Sequence, residues 1–436
     1  MKRTDNQAKF DTFRREFSTF TFVNQRVTRT EGKLSLAFDF SLDDRYYFRP
    51  TLEIPSSSCL DWDVIPEAQL QSLAFQIGLT ELVSYWKIAC PKRVIVKPFS
   101  LTESQKRFWK KLYYNGLGEF LYLNSITIPE ADLMEFETVE PQPFAKVDLP
   151  LEEKTLVPIG GGKDSVVTLE CLRSEMPVIP LIVNPRGATL NCVKTAGFEE
   201  KGFIVINRTL DPTMLKLNAE GYLNGHTPFS ALLAFISVLV AFGSRSKNIA
   251  LSNENSANEA TVLGTNINHQ YSKSIEFERD FRNYVAANLN DNVQYFSFLR
   301  PLNELQIAKL FSRCQDYHPV FRSCNVGSKT DSWCGHCPKC LFTWIILSPF
   351  LSREKLITIF GKDLIADESL RPIFEELNGK AAVKPFECVG TVEEVRACME
   401  AAHGSRHEVN EILTRFNDEH FLPEKFEQIL KSHLHV

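Results

Sequence analysis

Apolar and polar residues alternate along the N-terminal part of the chain in the manner of β-strands. The alternation runs from about residue 17 to 55, with turn-forming residues at Thr30–Gly32 and Asp43–Asp44. A period of two places one face of each strand in a core, and short polar interruptions are typical of turns. The pattern therefore predicts an antiparallel meander. Helical periodicity follows at about 66–88 and 103–127.

From Lys154 to about Ser256 the pattern changes to alternating strands and helices. Such alternation predicts an α/β fold with a doubly wound parallel sheet, in which ligands bind beyond the carboxyl ends of the strands. Helical patterning resumes after about residue 350 and continues to the end, interrupted at 384–391. The predicted strands of the parallel sheet are Thr155–Ile159, Val178–Asn184, Phe203–Asn207 and Asn248–Ser252.

The length of the chain predicts several domains, because 436 residues exceed one ordinary hydrophobic core. A polar, proline-bearing segment at 140–143 marks the first boundary. We expect an N-terminal α+β domain over 1–148, the parallel-sheet domain over 149–350 and a C-terminal helical region over 351–436.

The first predicted strand of that sheet runs into a glycine-rich turn, and a helix follows. Three consecutive glycines expose backbone amides, and a helix N-terminus favours an anion, so the turn predicts a phosphate site. The alternative is a glycine-rich turn without a ligand. The residues of this glycine loop are Gly160, Gly161, Gly162, Lys163, Asp164 and Ser165.

The details of the glycine loop identify its type. A Walker A loop would need glycine at Val157 and Ser or Thr at Asp164, and a Rossmann loop would need glycine at Ser165. The loop instead resembles the Ser-Gly-Gly-x-Asp-Ser pattern of the ATP pyrophosphatase (PP-loop) superfamily, with Gly160 replacing the first Ser. That resemblance implies an HUP-like fold and cleavage of ATP to AMP and diphosphate.

Four cysteines follow the parallel-sheet segment at metal-ligand spacing. Two close pairs of thiolates fit a tetrahedral zinc ion, and four protein ligands leave no open position, so the role would be structural. Buried free thiols and an iron–sulfur cluster are the alternatives. The four residues, called the cysteine tetrad below, are Cys324, Cys334, Cys337 and Cys340.

Polar residues gather where the predicted strands end. Asn184 is the last residue of one predicted strand, Glu254 lies two residues after another, and His269 and Lys273 lie in a later polar stretch. Such polar density costs free energy in a core without partners, so it predicts a pocket lining, with a solvated loop as the alternative. Glu254 is a candidate magnesium ligand, and His269 and Lys273 are candidates for phosphate or carboxylate contacts.

One further cysteine, Cys388, lies in the interruption of the C-terminal helices, four residues after Lys384. A thiol near a lysine is a candidate proton-transfer base. Simple packing of the side chain is the alternative reading.

Composition restricts the class of protein. A net charge of −5 and a pI near 6.1 disfavour a nucleic acid as the main partner. We expect no signal peptide and no membrane span, hence a cytoplasmic protein, and infer no obligate protein partner. Thirty-three phenylalanines predict large apolar cores.

Taken together, these motifs resemble one family, the ATP-dependent UDP-N-acetylmuramoyl-L-alanyl-L-glutamate epimerases (MurL family). The resemblance is carried by the segments 157–165, 252–257, 268–273, 333–340 and 384–391. It implies epimerisation of the terminal L-glutamate of UDP-MurNAc-L-Ala-L-Glu in peptidoglycan precursor synthesis. ATP, Mg²⁺ and a structural Zn²⁺ are the implied cofactors, and the UDP-linked dipeptide is the implied partner.

The resemblance also implies roles for the glycine loop. Gly160–Gly162 and Ser165 would hold the diphosphate, Lys163 would offset its charge, and Asp164 would orient or bind magnesium. Two alternatives remain open from the residues themselves. One is a PP-loop amidating or thiolating enzyme that acts on a nucleobase or tRNA, and the other is a non-catalytic nucleotide-binding module.

Overall fold

The structure is a computed structural model that describes residues 3–139, 142–262, 265, 267–381 and 383–434. Its architecture is mixed α/β, as the alternating pattern predicts. Half of the predicted boundary segment, Glu140 and Pro141, lies outside the described residues.

Strands occupy the first two-thirds of the described chain and helices the whole of it. The strands are β1 (Thr19–Thr30), β2 (Lys33–Leu42), β3 (Tyr46–Phe48), β4 (Thr51–Pro55), β5 (Arg93–Val96), β6 (Glu135–Thr138), β7 (Glu152–Pro158), β8 (Val178–Val183), β9 (Ile204–Thr209), β10 (Ser246–Leu251) and β11 (Gln294–Ser297). The helices are α1 (Gln7–Glu16), α2 (Glu67–Trp86), α3 (Glu103–Gly116), α4 (Gly118–Leu123), α5 (Glu130–Leu133), α6 (Lys163–Arg173), α7 (Gly187–Thr195), α8 (Pro212–Ala219), α9 (Phe229–Gly243), α10 (Ile275–Asn288), α11 (Glu304–Arg313), α12 (Pro338–Leu347), α13 (Arg353–Phe360), α14 (Arg371–Leu377), α15 (Val392–Ala402), α16 (His407–Ile412) and α17 (Glu424–Leu434).

Two compact units make up the chain, and each is assembled from separate stretches of sequence. The first comprises Met1–Glu152, Ile204–Lys247 and Glu276–Gln294. The second comprises Glu153–Phe203, Asn248–Ile275 and Tyr295–Val436. The chain enters each unit more than once, so the two units are interleaved in sequence. The three-domain division stays a prediction.

The meander predicted near the N-terminus is present in the first unit. β1 pairs antiparallel with β2 around a turn at Thr30 and Lys33, and β2 pairs antiparallel with β4. Alternate residues of these strands are fully buried, including Phe20, Phe22 and Phe38. The phenylalanine-rich pattern therefore forms an apolar core, as predicted.

Other elements complete the first unit. β1 pairs parallel with β5, β5 pairs parallel with β6, and β4 pairs antiparallel with β9. The predicted helix at 66–88 is α2, which is buried over most of its length and packs on α9 and on β1. The rings of Phe22 and Phe75 stack with their centroids 5.8 Å apart. Burial on all sides explains why apolar residues occur around the whole circumference of α2, with a few buried polar side chains such as Gln76 and Glu81 among them.

The second unit contains the sheet that carries the glycine loop. Its strand order is β11-β10-β7-β8, and β7 pairs parallel with β8 from Thr155 opposite Val178 onward. α6 packs against α11, and α11 packs against α12. The helices after residue 350, α13 to α17, are interrupted at 384–391 as predicted. Among the described helices, none combines the length and the apolar character needed to cross a bilayer.

Candidate active site

The glycine loop connects β7 to α6, and its middle residue requires glycine. Gly161 has a φ of +79°, in the left-handed region that other residues rarely adopt. A Cβ at Gly161 would lie 2.9 Å from the backbone nitrogen of Thr189. A Cβ at Gly160 would meet no atom within 4 Å. The loop is thus closely packed at its centre and open at its start.

The start of α6 is suited to an anion. Gly162 is the N-cap and offers no side chain to accept from the first N–H groups of the helix. These groups and the helix dipole favour negative charge at this point. The Ser165 hydroxyl donates to the Gly162 carbonyl oxygen at 3.0 Å, and the Arg322 amide donates to the Gly161 carbonyl oxygen at 2.8 Å. The loop is therefore held in shape by its own chain.

The first residue of α6, Lys163, is buried and forms ion pairs with Asp164 and Glu304. Its side chain is 3% exposed and that of Glu304 is 4% exposed, whereas that of Asp164 is 34% exposed. Burial alone would lower the pKa of Lys163, but the two carboxylates outweigh it and hold that pKa above its ordinary value. Lys163 is therefore a fixed cation, and Asp164 is the accessible member of the group.

The Cys388 thiol lies in a cationic setting. Its Sγ accepts from the Lys273 ammonium group at 3.2 Å. Burial alone would raise the pKa of Cys388, but the charges of Lys273 and Lys339 and a hydrogen bond with His269 lower that pKa to about 5. The side chain is half-buried. A thiolate is therefore the form expected at neutral pH.

Lys273 connects this thiol to the glycine loop. Burial lowers its pKa, but Cys388, Glu254 and Asp164 outweigh burial and hold it above the ordinary value of a lysine. Arg300, which is fully buried, donates to the Glu254 carbonyl oxygen at 2.7 Å and also to the Lys273 carbonyl oxygen. One arginine thus fixes the two polar segments relative to each other.

The neighbour of the thiol is not the lysine that the sequence suggested. Lys384 donates to the Glu259 carboxylate and, at 2.8 Å, to the Gly390 carbonyl oxygen. The partner of Cys388 is Lys273, which is 115 positions away in the chain. Nearness in sequence was a poor guide here because the 384–391 segment is not helical and its side chains follow no regular period.

The cysteine tetrad is assembled as predicted. The Sγ atoms of all four residues lie within 4.8 Å of one another. The separations are 3.7 Å for Cys324–Cys337, 3.7 Å for Cys334–Cys340 and 3.5 Å for Cys337–Cys340. Tetrahedral zinc with Zn–S bonds of about 2.3 Å places sulfurs ~3.8 Å apart. The four thiols therefore fit a structural zinc ion.

Zinc ligation is favoured further by the backbone around the tetrad. Gly335 has a φ of +70°, which allows the tight turn between Cys334 and Cys337. The Gly327 amide donates to the Cys324 sulfur at 3.1 Å, a bond that stabilises a thiolate ligand. Cys337 is the N-cap of α12, so its pair partner Cys340 lies on the first turn of that helix.

The loop that carries the tetrad contacts both other parts of the site. Ser323 approaches the glycine loop so closely that a Cβ at Gly162 would lie 2.9 Å from its hydroxyl. Asn325 donates to the Glu387 carboxylate at 2.9 Å, next to Cys388. The tetrad loop thus bridges the phosphate-type turn and the thiol segment.

The remaining predicted residues have varied surroundings. Asn184 follows β8, is exposed, and has a φ of +53°. Glu254 is buried after β10 and accepts from the Ser256 hydroxyl at 3.0 Å. The His269 ring lies edge-on to that of Phe386, with centroids 6.3 Å apart. His269 and Lys273 both interact electrostatically with the Cys388 thiol and lie in its surroundings together.

Sequence reasoning missed several residues of this site. Glu304 pairs with Lys163, and its backbone amide donates to the Glu394 carboxylate at 2.6 Å. Arg300 lies three residues after the end of β11, directly after the buried Phe298 and Leu299, and a charged residue in that place was an available signal. Glu304 gave a weaker signal, because an acidic residue at a helix start is usually explained by the helix dipole.

Comparison with known proteins identifies the family of this chain. The family model of the MurL N-terminal domain matches residues 11–298, and the family model of the MurL C-terminal domain matches residues 320–427. The chain belongs to the MurL family. Relatives within this family are named UDP-N-acetyl-alpha-D-muramoyl-L-alanyl-L-glutamate epimerase.

Three such relatives cover most of the chain. A Micromonospora protein is 34% identical over 392 residues, which is 87% of this chain and 86% of its own length. A Salinispora tropica protein is 34% identical over 392 residues, or 87% of this chain and 84% of its own. A protein from Xanthomonas oryzae pv. oryzae is 33% identical over 413 residues, or 92% of this chain and 89% of its own.

Proposed function

We propose that this protein is an isomerase that converts the terminal L-glutamate of UDP-MurNAc-L-Ala-L-Glu to D-glutamate during peptidoglycan precursor synthesis. Three relatives at 33–34% identity carry the name of that epimerase. The observation that carries the proposal is the joining of the Asp164 carboxylate, the Lys273 cation and the Cys388 thiol in one electrostatic cluster of the second unit. Asp164 lies at the start of α6, which suits an anion, so the cluster brings a group that can move a proton close to that anion site.

The reaction calls for activation of the substrate. The α-proton of a glutamate residue is very weakly acidic beside a free carboxylate, because the carbanion would form next to a negative charge. Transfer of AMP from ATP to that carboxylate, with release of diphosphate, removes the charge and makes the enolate accessible. Proton removal, reprotonation on the other face and hydrolysis of the activated ester then give the D-epimer and AMP.

Within this scheme we assign the glycine loop, as a PP-loop in an HUP-like sheet, to ATP. Gly160–Gly162 and Ser165 would hold the diphosphate portion at the start of α6. Lys163 supplies a fixed positive charge beside the loop and orients Asp164, with which it is paired.

The acidic residues of the cluster suit Mg²⁺. Asp164 is partly exposed at the start of α6, and Glu254 lies near the same lysine, Lys273. Carboxylate oxygens are the ligands that Mg²⁺ prefers, and the ion would offset phosphate charge during adenylation. Asn184 and His269 are assigned to the rim of the same site, for contacts with phosphate or carboxylate.

The cysteine tetrad is assigned to a structural zinc ion. Four thiolate ligands complete the coordination sphere, so no catalytic step involves this metal. Its contribution is to fix the loop that contacts the glycine loop and the thiol segment.

Turnover in D₂O tests the function directly. With the UDP-linked dipeptide and ATP, we expect AMP, diphosphate and a product whose glutamate has the D configuration and deuterium at Cα. The Asp164→Asn variant should form AMP at least ~100-fold more slowly, because charge placed at transferring phosphates supplies several kcal/mol of stabilisation. The matched control is Asp363→Asn, since Asp363 forms a surface ion pair with Arg353.

Three outcomes would contradict the proposal in different ways. Epimerisation without ATP would refute adenylation. A product with an unlabelled Cα would indicate amidation or thiolation of the activated carboxyl. Binding of ATP without release of diphosphate would indicate a nucleotide-binding module.

A further inference from the structure

One cysteine of this chain differs from the others outside the tetrad. Burial raises the pKa of Cys192 and of Cys314 to about 12 and leaves those thiols protonated. Cys398 is buried too, and its pKa is also raised. Among the described cysteines outside the tetrad, only Cys388 has its pKa clearly lowered.

We propose that the Cys388 thiolate is a proton-transfer group of the epimerisation, and that Lys273 is the positioning residue that holds it. The inference rests on the proposed function, because it names a residue that acts at the glutamate Cα. Its geometric basis is the 3.2 Å contact between the Lys273 Nζ and the Cys388 Sγ, in a half-buried site that also interacts with Asp164 of the glycine loop.

Most of the groups around the Cys388 thiol favour its charged form. Lys273 comes from the turn after His269, and Lys339 comes from the first turn of α12. Both lysines and His269 favour the thiolate. Glu387 is the opposing carboxyl group, and burial raises the pKa of this group, with a further contribution from Cys388 itself.

Lys273 is itself held in place. Its backbone carbonyl accepts from the buried Arg300, and its ammonium group is drawn by Glu254 as well as by Cys388. A cation fixed in this way keeps the thiol deprotonated at neutral pH. The lowered pKa makes this thiolate a weaker base than an ordinary one, so its advantage is that it is present in the charged form and held in one position.

The proposed step is balanced in atoms and electrons. The Cys388 thiolate takes the α-proton of the adenylated glutamate and forms an S–H bond. The electron pair of the broken C–H bond moves to the acyl oxygen and forms an enolate. A proton from a solvent-exchangeable acid then adds to the opposite face of Cα, and the electron pair returns from oxygen to form the new C–H bond. No oxidant or reductant takes part.

Thiol alkylation gives a test that does not depend on turnover. Iodoacetamide modification of the purified protein would be followed peptide by peptide over pH, so that Cys388 is resolved from the tetrad. We expect half-maximal reactivity of Cys388 near pH 5, and a shift of the midpoint upward by at least ~1 pH unit in Lys273→Met. The control Lys362→Met, which removes a surface partner of Asp367, should leave the midpoint unchanged. A midpoint near that of an ordinary thiol in the wild-type protein would overturn the proposal.

Turnover then tests the catalytic role. In D₂O, Cys388→Ala and Cys388→Ser should incorporate deuterium at Cα at least ~100-fold more slowly from at least one of the two glutamate epimers, in line with the loss of a general base. Both variants should still release AMP within a few-fold of the wild-type rate. Deuterium uptake at the wild-type rate from both epimers would overturn the proposal. Failure of the wild-type protein to release AMP would refute the proposed function instead, and this result would be known before any variant was compared.

Discussion

The buried pair formed by Lys163 and Glu304 makes a quantitative prediction about stability. Glu304→Gln replaces the carboxylate with a neutral amide of nearly the same shape and leaves the Lys163 ammonium group buried. Breaking a buried ion pair costs about 3–5 kcal/mol. Asp164 still faces Lys163, but its side chain is 34% exposed, so solvent screens its attraction. We therefore expect Glu304→Gln to lower the free energy of unfolding by about 3 kcal/mol, at the lower end of that range.

Substitution of the other partner, Lys163→Met, should lower the free energy of unfolding by a similar amount, for a different reason. Lys163→Met leaves Glu304 buried near Asp164, Glu254 and Glu394. The uncompensated carboxyl group would bind a proton, at a cost of about 1.4 kcal/mol for each unit by which its pKa rises. In the double variant both charges are absent. Its loss should be smaller than the sum of the single losses by about 2 kcal/mol, a coupling typical of residues in direct contact.

The pH dependence has a definite sign. The pKa of Lys163 is raised in the folded state, so its contribution to stability is fully present below the pKa of an unfolded lysine, about 10.4. The contribution is lost as pH rises through the folded-state value. Burial also raises the pKa of Glu304 in the folded state, so the contribution of this group falls as pH rises above the pKa of an unfolded glutamate, about 4.3. The gap between wild type and Glu304→Gln should therefore narrow as pH rises above about 4.3, and narrow again under strongly alkaline conditions as Lys163 loses its proton.

Urea unfolding at neutral pH is the assay, with fluorescence of Trp333 and Trp344 reporting on the second unit. Wild type, both single variants and the double variant complete the cycle. The control is Lys431→Met, which breaks an exposed pair with Glu427 and should cost only about 0.3–0.5 kcal/mol. Additive losses in the double variant, or a loss below about 1 kcal/mol for Glu304→Gln, would refute the reasoning.

Two further predictions concern the glycine loop and the cysteine tetrad. Gly161→Ala should weaken binding of a non-hydrolysable ATP analogue at least ~10-fold by calorimetry, since a positive φ costs a side-chain residue about 1–2 kcal/mol and its Cβ would press on Thr189. The control is Gly32→Ala in the β1–β2 turn, where a Cβ meets open space; it should bind normally, and equal affinities of the two variants would contradict the loop assignment. Untagged protein should contain one zinc per chain, which Cys340→Ser loses and Cys398→Ser keeps. Metal analysis of wild type without zinc would reduce the tetrad to free thiols.

Local pattern predicted the features that depend on short stretches of chain. The glycine loop, its strand and its helix lie within 152–173, and the tetrad lies within 324–340. Both are determined by spacing and by backbone freedom, which are readable from consecutive residues. The N-terminal meander is equally local, because its strands follow one another and pair with neighbours in sequence.

The pairings that define the site are long-range and escaped local reasoning. Lys163 and Glu304 are 141 positions apart, and Lys273 and Cys388 are 115 apart. The sequence does not distinguish the buried Lys163 from an exposed lysine. Its partner Glu304 is brought to it by the packing of α6 on α11, and not by spacing in the sequence. The interleaving of the two units has the same origin, because it depends on contacts between segments that are far apart in the sequence.

The tetrad loop gives these long-range pairings a common support. It contains only short helical turns between α11 and α12, so it has little regular hydrogen bonding of its own. Nevertheless its Arg322 amide holds Gly161, its Asn325 side chain holds Glu387, and Lys339 acts on the Cys388 thiol. A loop of this kind keeps one conformation only if something crosslinks it, and a four-thiolate zinc ion does so without adding reactivity. The metal site would then act on catalysis through position alone, by holding the glycine loop and the Cys388 thiol at a fixed separation.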